Sequence, residues 1–442
     1  MAEQLDRRQR LRGRWLTAAV AFVVLAGALV ARQITVRPPA AATLGPSSVA
    51  SQGVTAGALA RGRWSWLPDA PVAARDSPAA VWTGQELLVW GGQSGPHGGV
   101  LHGDGAAYDP ARQAWRRLPR SPLTPRVEAA AVWTGRELIV WGGYDRLGRG
   151  ALHTAGDGAA YDPARRTWRR LPPAPLSARA YATAVWTGRE VLVVGGVPAV
   201  RTDRGRGVTD AAAYDPVRER WRRLAASPRL RGPLVAQHLV WTGARLLVWS
   251  DWEQVHRSAV TLTDGQQAIR EEGRDGVDVW AYDPAADRWT VLPAASGQPA
   301  LGGALVWTGR EVLSVAGRPY HGPPLDRNPG ARYDPARNRW QPLADGPLDT
   351  AALPATLWTG AALVVWNSES ERRGDPRTAF QSGDGAAWDP GRDRWHRLPR
   401  PRSTGGHGSV AVWTGRLVLV WGGTWWPTSS GHTGMAFTPA EG

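Results

Sequence analysis

The 442-residue chain contains no cysteine, and although 53 of its residues are basic it contains no lysine. The first absence excludes disulfides and a lipid-modified N-terminal cysteine. The second makes every basic residue an arginine, the compositional mark of a GC-rich genome. Phosphate-loop, nucleophile-elbow and metal-ligand spacings are missing as well, so no cofactor and no metal site is expected. Long apolar runs are missing too, with one exception at residues 15–31, behind Arg7, Arg8, Arg10, Arg12 and Arg14. At ~1.5 Å per residue that run covers about 26 Å of helix, slightly less than a ~30 Å hydrocarbon core.

A basic flank holds the N-terminus in the cytoplasm, which predicts a tail at 1–14, a single-pass signal anchor at 15–31 and an extracytoplasmic remainder. Cleavage near Ala26 and Ala28 is the alternative, and it would release a secreted protein. Residues 32–62 are rich in Ala, Pro, Ser and Gly without apolar periodicity. They read as a flexible linker, or else as a strap partly ordered on the domain that follows.

What is present is a repeat. A Trp-Thr-Gly triplet recurs at Trp82, Trp133, Trp186, Trp241, Trp307, Trp358 and Trp413, at intervals of about fifty to sixty-six residues. Within one unit, apolar runs ending at Trp133, spanning Leu138 to Trp141, ending at Tyr161 and spanning Trp168 to Leu171 predict four short strands. Thr134-Gly135 and Asp162-Pro163 supply the turns. Four strands per repeat is one propeller blade, so the fold class is an all-β, seven-bladed propeller over 63–442. The first unit lacks three strands and the last lacks one, which predicts that Trp64 to Pro68 completes the C-terminal blade and closes the ring.

A double glycine follows the second strand at Gly91-Gly92, Gly142-Gly143, Gly195-Gly196 and Gly422-Gly423. A Tyr-Asp in the third strand and a Trp six or seven residues later complete the pattern. This resembles the kelch repeat of the galactose oxidase central-domain-like superfamily, in a bacterial, membrane-anchored form, and the resemblance spans nearly all of Trp64 to Phe437. Three units depart from the double glycine, at Trp249-Ser250, Ala316-Gly317 and Trp366-Asn367. The resemblance includes copper radical oxidases, whose cofactor needs a Tyr crosslinked to Cys, and the absence of Cys excludes that chemistry. It also includes sialic-acid epimerases, for whose acid–base pair and arginine the candidates are Glu128, His407 and Arg126.

Most of the 26 tryptophans read as wedges between blades. Trp82 and its repeat mates, with Trp115, Trp168, Trp221, Trp289, Trp340 and Trp395, would each contribute on the order of 5 kcal/mol gross if ~200 Å² were buried. The net charge of +15 is spread by repeated pairs such as Arg116-Arg117, Arg169-Arg170 and Arg222-Arg223 around a rim, so no nucleic-acid partner is expected.

The connections between second and third strands vary most in length, from Gln93 to Gly105 in the first unit to Asp251 to Gly276 in the fourth. Variable loops on a rigid scaffold mark a binding face. Ligand-binding candidates are Arg75, Arg126 and Arg179, each seven residues before a triplet Trp, with Tyr181 and His407 beside them at the axial mouth. Trp252, Trp425 and Trp426 in the variable loops are candidates for sugar stacking. For the three arginines the alternative is that they brace the loops by bonding backbone carbonyls. The Gly-Asp-Gly triplets at Gly103, Gly156 and Gly383 read as Asx-type turns. Two functions follow: a module binding an unidentified protein or cell-surface glycan, or an enzyme acting on acidic sugars.

Overall fold

The computed structural model describes residues 53–95, 99–146, 153–198, 208–228, 234–261, 267–293, 304–315, 330–348, 355–367, 384–401, 408–423 and 434–441. The repeat unit folds as its alternating pattern requires. In the second blade Ala130–Trp133, Leu138–Trp141, Gly158–Asp162 and Thr167–Arg170 form one antiparallel sheet in register Trp133↔Leu138↔Tyr161↔Trp168. The first turn is closed by the Thr134 amide donating to the Glu137 carbonyl at 3.0 Å, and Gly135 sits at φ +86 with nothing within 4 Å of a notional Cβ. Backbone conformation alone therefore demands glycine there. The turn between third and fourth strands is an Asx motif, in which Asp162 Oδ1 accepts from the amides of Ala164 and Arg165 at 2.9 and 3.0 Å.

Seven such four-stranded sheets follow one another. Blades 1 to 6 are built from residues 79–117, 130–170, 183–223, 234–292, 304–342 and 355–397. Blade 7 takes Val410–Trp413, Val418–Trp421 and Gly434–Thr438 from the C-terminal end, and its fourth strand is Arg63–Trp66, paired Trp64↔Phe437. The core lies between the sheets. Val132, Ile139 and Trp141 of blade 2 pack with Val191, Val193 and Tyr214 of blade 3, and each other neighbouring pair shares a cluster of its own, including blades 7 and 1.

The tryptophans divide by strand. Those ending the second strands, such as Trp90, Trp141, Trp366 and Trp421, are fully buried. Most of the triplet tryptophans and the inward-facing ones of the fourth strands are only partly buried, and Trp66 is exposed, which corrects the expectation of complete wedges. The fourth strand is the outer edge of its sheet, so one side of its indole meets water. What the indole does there is donate its N–H across the blade boundary. Trp64 reaches Pro399 O, Trp115 Pro68 O, Trp168 Pro119 O, Trp221 Pro172 O, Trp289 Ala225 O, Trp340 Pro293 O and Trp395 Ala344 O, at 2.7–3.3 Å. Each such bond contributes roughly 0.5–1.5 kcal/mol.

Part of the expected linker is ordered. Ala56–Ala60 is helical with Thr55 as its N-cap, and Ala56 and Leu59 are buried among Leu357, Val364 and Phe437 of blades 6 and 7. Thr359 Oγ1 donates to Val54 O at 2.7 Å. The apolar pair three residues apart supplies the helical face that the small-residue composition concealed. The anchor at 15–31 and the linker as far as residue 52 lie outside the described residues; among those described, no helix is long and apolar enough to cross a membrane.

Candidate functional site

In blades 1, 2 and 3 one buried arginine ties the mouth of the blade together. The side chains of Arg75, Arg126 and Arg179 belong to residues only 1% exposed. Arg126 Nη1 donates to Gly142 O at 3.2 Å and to Asp157 Oδ1 at 2.8 Å, Nε donates to Thr124 O, and Nη2 to Thr124 Oγ1. Arg75 meets Gly91 O and Asp104 in the same way, and Arg179 meets Gly195 O and Asp210. Partial burial alone would raise the Asp104 and Asp157 carboxyls, but the hydrogen bond and charge of the arginine outweigh it and hold both below the usual range. Asp104 and Asp157 thus serve as acceptors for buried guanidinium groups, a role that the Asx-turn expectation for their triplets did not include.

The double glycine receives the next blade. Gly92 N donates to Arg126 O, Gly143 N to Arg179 O and Gly423 N to Arg75 O, each at 2.9 Å. A Cβ on Gly142, which has φ +73, would stand 2.6 Å from Arg179 O. The glycine is required by close approach as well as by conformation. In blade 4, which lacks both glycines and arginine, Gln237 Nε2 donates to Ser250 Oγ at 3.0 Å instead.

Two residues beyond each arginine, Ser77, Glu128 and Tyr181 occupy the same repeat position, with φ of 48, 56 and 58. This left-handed conformation is costly for non-glycine residues. In blade 7 the corresponding residue is Gly408, whose carbonyl accepts from Ser77 N at 2.9 Å, while Glu128 O accepts from Tyr181 N at 3.1 Å. Backbone bridges Asp76↔Gln93, Val127↔Tyr144 and Ala180↔Val197 pin these segments to the strands after the double glycines.

The side chains converge. Tyr144 and Tyr181 meet edge to face at 5.6 Å and 76°, on an apolar floor of Val127 and Ala180. Burial pushes the Glu128 carboxyl up to about 8; a Ser77 hydrogen bond opposes this and the Asp76 charge adds to it. Burial, with the Glu128 charge, lifts Tyr144 to about 12 and Tyr181 well above its ordinary value. Glu128 is 6% exposed, and its Oε2 has no hydrogen-bond partner among the described residues.

The structure therefore brings Glu128 and Tyr181 together and turns Arg75, Arg126 and Arg179 away from them. Trp252 lies elsewhere, in blade 4, where its indole covers Gly276 across the strand pair. His407, Trp425 and Trp426 lie outside the described residues. Asp76, Ser77 and Tyr144 are further members of the mouth cluster; Tyr144 had a legible signal, since it directly follows a double glycine. No group of His, Asp and Glu able to hold a metal ion occurs among the described residues.

Among solved structures, the chain is similar to a novel fungal alcohol oxidase with catalytic diversity among the AA5 family, in complex with copper. The identity is 15%, the match covers 86% of this chain and 76% of that one, and the TM-score is 0.57, a likeness of fold alone. No curated protein matches the sequence. Residues 77–317 match the KLHDC2/KLHL20/DRC7 Kelch-repeats domain, more than half of the chain, and the protein belongs to the kelch-repeat family.

Proposed function

We propose that the chain is a membrane-tethered, extracytoplasmic kelch propeller that binds a protein or a cell-surface glycan through the face carrying the connections between second and third strands. One observation carries this reading: in blade 4 the strands Leu246–Thr261 and Gln267–Asp283 run on as a two-stranded ribbon beyond Trp252↔Gly276. The nine further pairs reach about 30 Å from the blade at ~3.4 Å per residue. Among the described residues the flanking pairings reach no further than Leu234↔Trp252 and Val279↔Leu292, and no other described strand pairs with the ribbon. Its outer edges then offer backbone groups to an extended segment of a partner. In blades 1 and 2 the same connections carry small hairpins, Gln93–Ser94 with Val100–Leu101 and Tyr144–Arg146 with His153–Thr154. Among the described residues the opposite face carries the short turns that repeat from blade to blade, with the N-terminal segment of Val54 and the helix Ala56–Ala60 against blade 6.

A second reading, an enzyme acting on acidic sugars with Glu128 and His407 as its acid–base pair, draws support from the raised Glu128 carboxyl. Against it, the arginines that would clamp a sugar carboxylate are committed to Asp104, Asp157 and Asp210. Thermal shift against anionic and neutral sugars and cell-wall fragments separates the two. A ligand at 100 times its dissociation constant stabilises the fold by about 2.7 kcal/mol. A saturable shift with an acidic sugar, lost in Glu128→Gln, would favour the enzyme. Partner capture that is lost when residues 254–274 are replaced by a two-residue turn would favour the module.

A further inference from the structure

We infer that the mouth of blades 1 to 3 is a binding site for an organic cation, a primary ammonium or guanidinium group, seated on the Glu128 carboxylate beside the rings of Tyr144 and Tyr181. The site lies on the same face as the ribbon but is built by blades 1 to 3 rather than blade 4, so its test does not depend on the ribbon.

The argument is one of charge and shape. Glu128 is held in the left-handed region at φ 56, and its side chain is directed toward Ser77 and Asp76 of the preceding blade. Its Oε2 is buried without a hydrogen-bond partner among the described residues. A buried acceptor in that condition costs about 1–3 kcal/mol, which a donor from a ligand would recover. The groups facing it are Asp76 and Ser77 from blade 1, Tyr144 from blade 2 and Tyr181 from blade 3. Among the described residues these groups are anionic, neutral or aromatic; Asp76 has an interaction of its own, so the carboxylate offered to a ligand is that of Glu128. The two arginines closest in sequence are directed to Asp104 and Asp157. The site is therefore matched to a cation and mismatched to a carboxylate or phosphate. Because Tyr144 and Tyr181 meet edge to face, a cation would meet only a face turned away from that contact, worth about 0.5–2 kcal/mol where water is excluded.

Binding must be coupled to a proton. An incoming cation favours the carboxylate, so below the folded pKa the Glu128 proton leaves as the ligand arrives. Affinity then rises about tenfold per pH unit until about pH 8 and levels off above it.

Isothermal titration of the full chain with n-butylammonium and agmatine tests this, at about pH 6 and about pH 8.5. Saturable binding is expected at the higher pH, weaker by on the order of a hundredfold at the lower. About one proton should be released per ligand at the lower pH, counted from the heats in phosphate and MES, two buffers that titrate there with different heats of ionisation. Glu128→Gln should lose the pH dependence and at least tenfold in affinity at the higher pH. The proton count needs only the wild-type chain, so it holds even if that variant folds poorly. Absence of saturable binding at the higher pH, binding at the lower pH without proton release, or undiminished binding by a folded Glu128→Gln would overturn the proposal.

Discussion

At the residue scale the decisive groups are few and individually testable. Gly142 combines a left-handed φ of +73 with an approach of 2.6 Å between a notional Cβ and Arg179 O, whereas Gly135 at φ +86 faces open space. Gly142→Ala is therefore expected to destabilise the fold by about 2–4 kcal/mol and Gly135→Ala by about 1 kcal/mol, read from denaturant midpoints. Glu128 makes stability depend on pH with an unusual sign. Its folded pKa of about 8 exceeds its ordinary value of 4.5, so the folded state binds the extra proton. Stability should fall as pH rises from about 4.5 to about 8, by a few kcal/mol, and level off above that. Glu128→Gln should remove this slope and raise the melting temperature at about pH 8.5, whereas an unchanged slope would locate the proton elsewhere. Arg126→Ala leaves the carbonyls of Gly142 and Asp157 and one carboxylate oxygen without their donor, a loss on the order of 3 kcal/mol.

At the element scale the strands were legible in sequence, because alternation, Thr-Gly turns and Asp-Pro turns all mark the same boundaries. The triplet tryptophans and the Tyr-Asp pairs gave the register directly. What pairs with what across blades was less legible. That Trp168 would donate to Pro119 O, or that Asp157 would receive Arg126, depends on geometry between repeats. A signal did exist: Arg75, Arg126 and Arg179 occur in the blades that also carry Asp104, Asp157 and Asp210 after the double glycine. The Glu128 cluster left a weaker trace: Glu128 and Tyr181 stand close after their arginines at the expected mouth, but Ser77, Glu128 and Tyr181 differ in type and share only a repeat position, so their convergence was not legible. The short helix Ala56–Ala60 was masked by its small residues, and only Leu59 with Ala56 gave it an inward face. The blade 4 ribbon belongs to this scale as well. Because its pairs beyond Trp252 have no further strand partner among the described residues, replacing residues 254–274 by a tight turn should leave the melting temperature unchanged while abolishing partner binding.

At the scale of the whole molecule, the blades share hydrophobic clusters pairwise, so no sheet is stable without its neighbours. We propose that Arg63–Trp66 acts as the clasp of the ring, through its pairing with Gly434–Thr438 and the Trp64 bond to Pro399. Deleting residues 61–68 should then replace one cooperative melting transition by a broad, lower one, and an unchanged melt would show that the blades close without it. The two faces of the ring differ in kind, one with turns of nearly constant length and one with connections that vary from blade to blade, and the central functional claim rests on that difference. It is tested most directly by placing a photo-crosslinking residue at Val100, 53% exposed in the blade 1 connection, or at Val217, 88% exposed in a turn on the opposite face, and illuminating intact cells. Crosslinks to a discrete partner from Val100 and none from Val217, competed away by added soluble propeller, are the expected result. Crosslinks from Val217 alone would contradict it and move the binding surface to the other face.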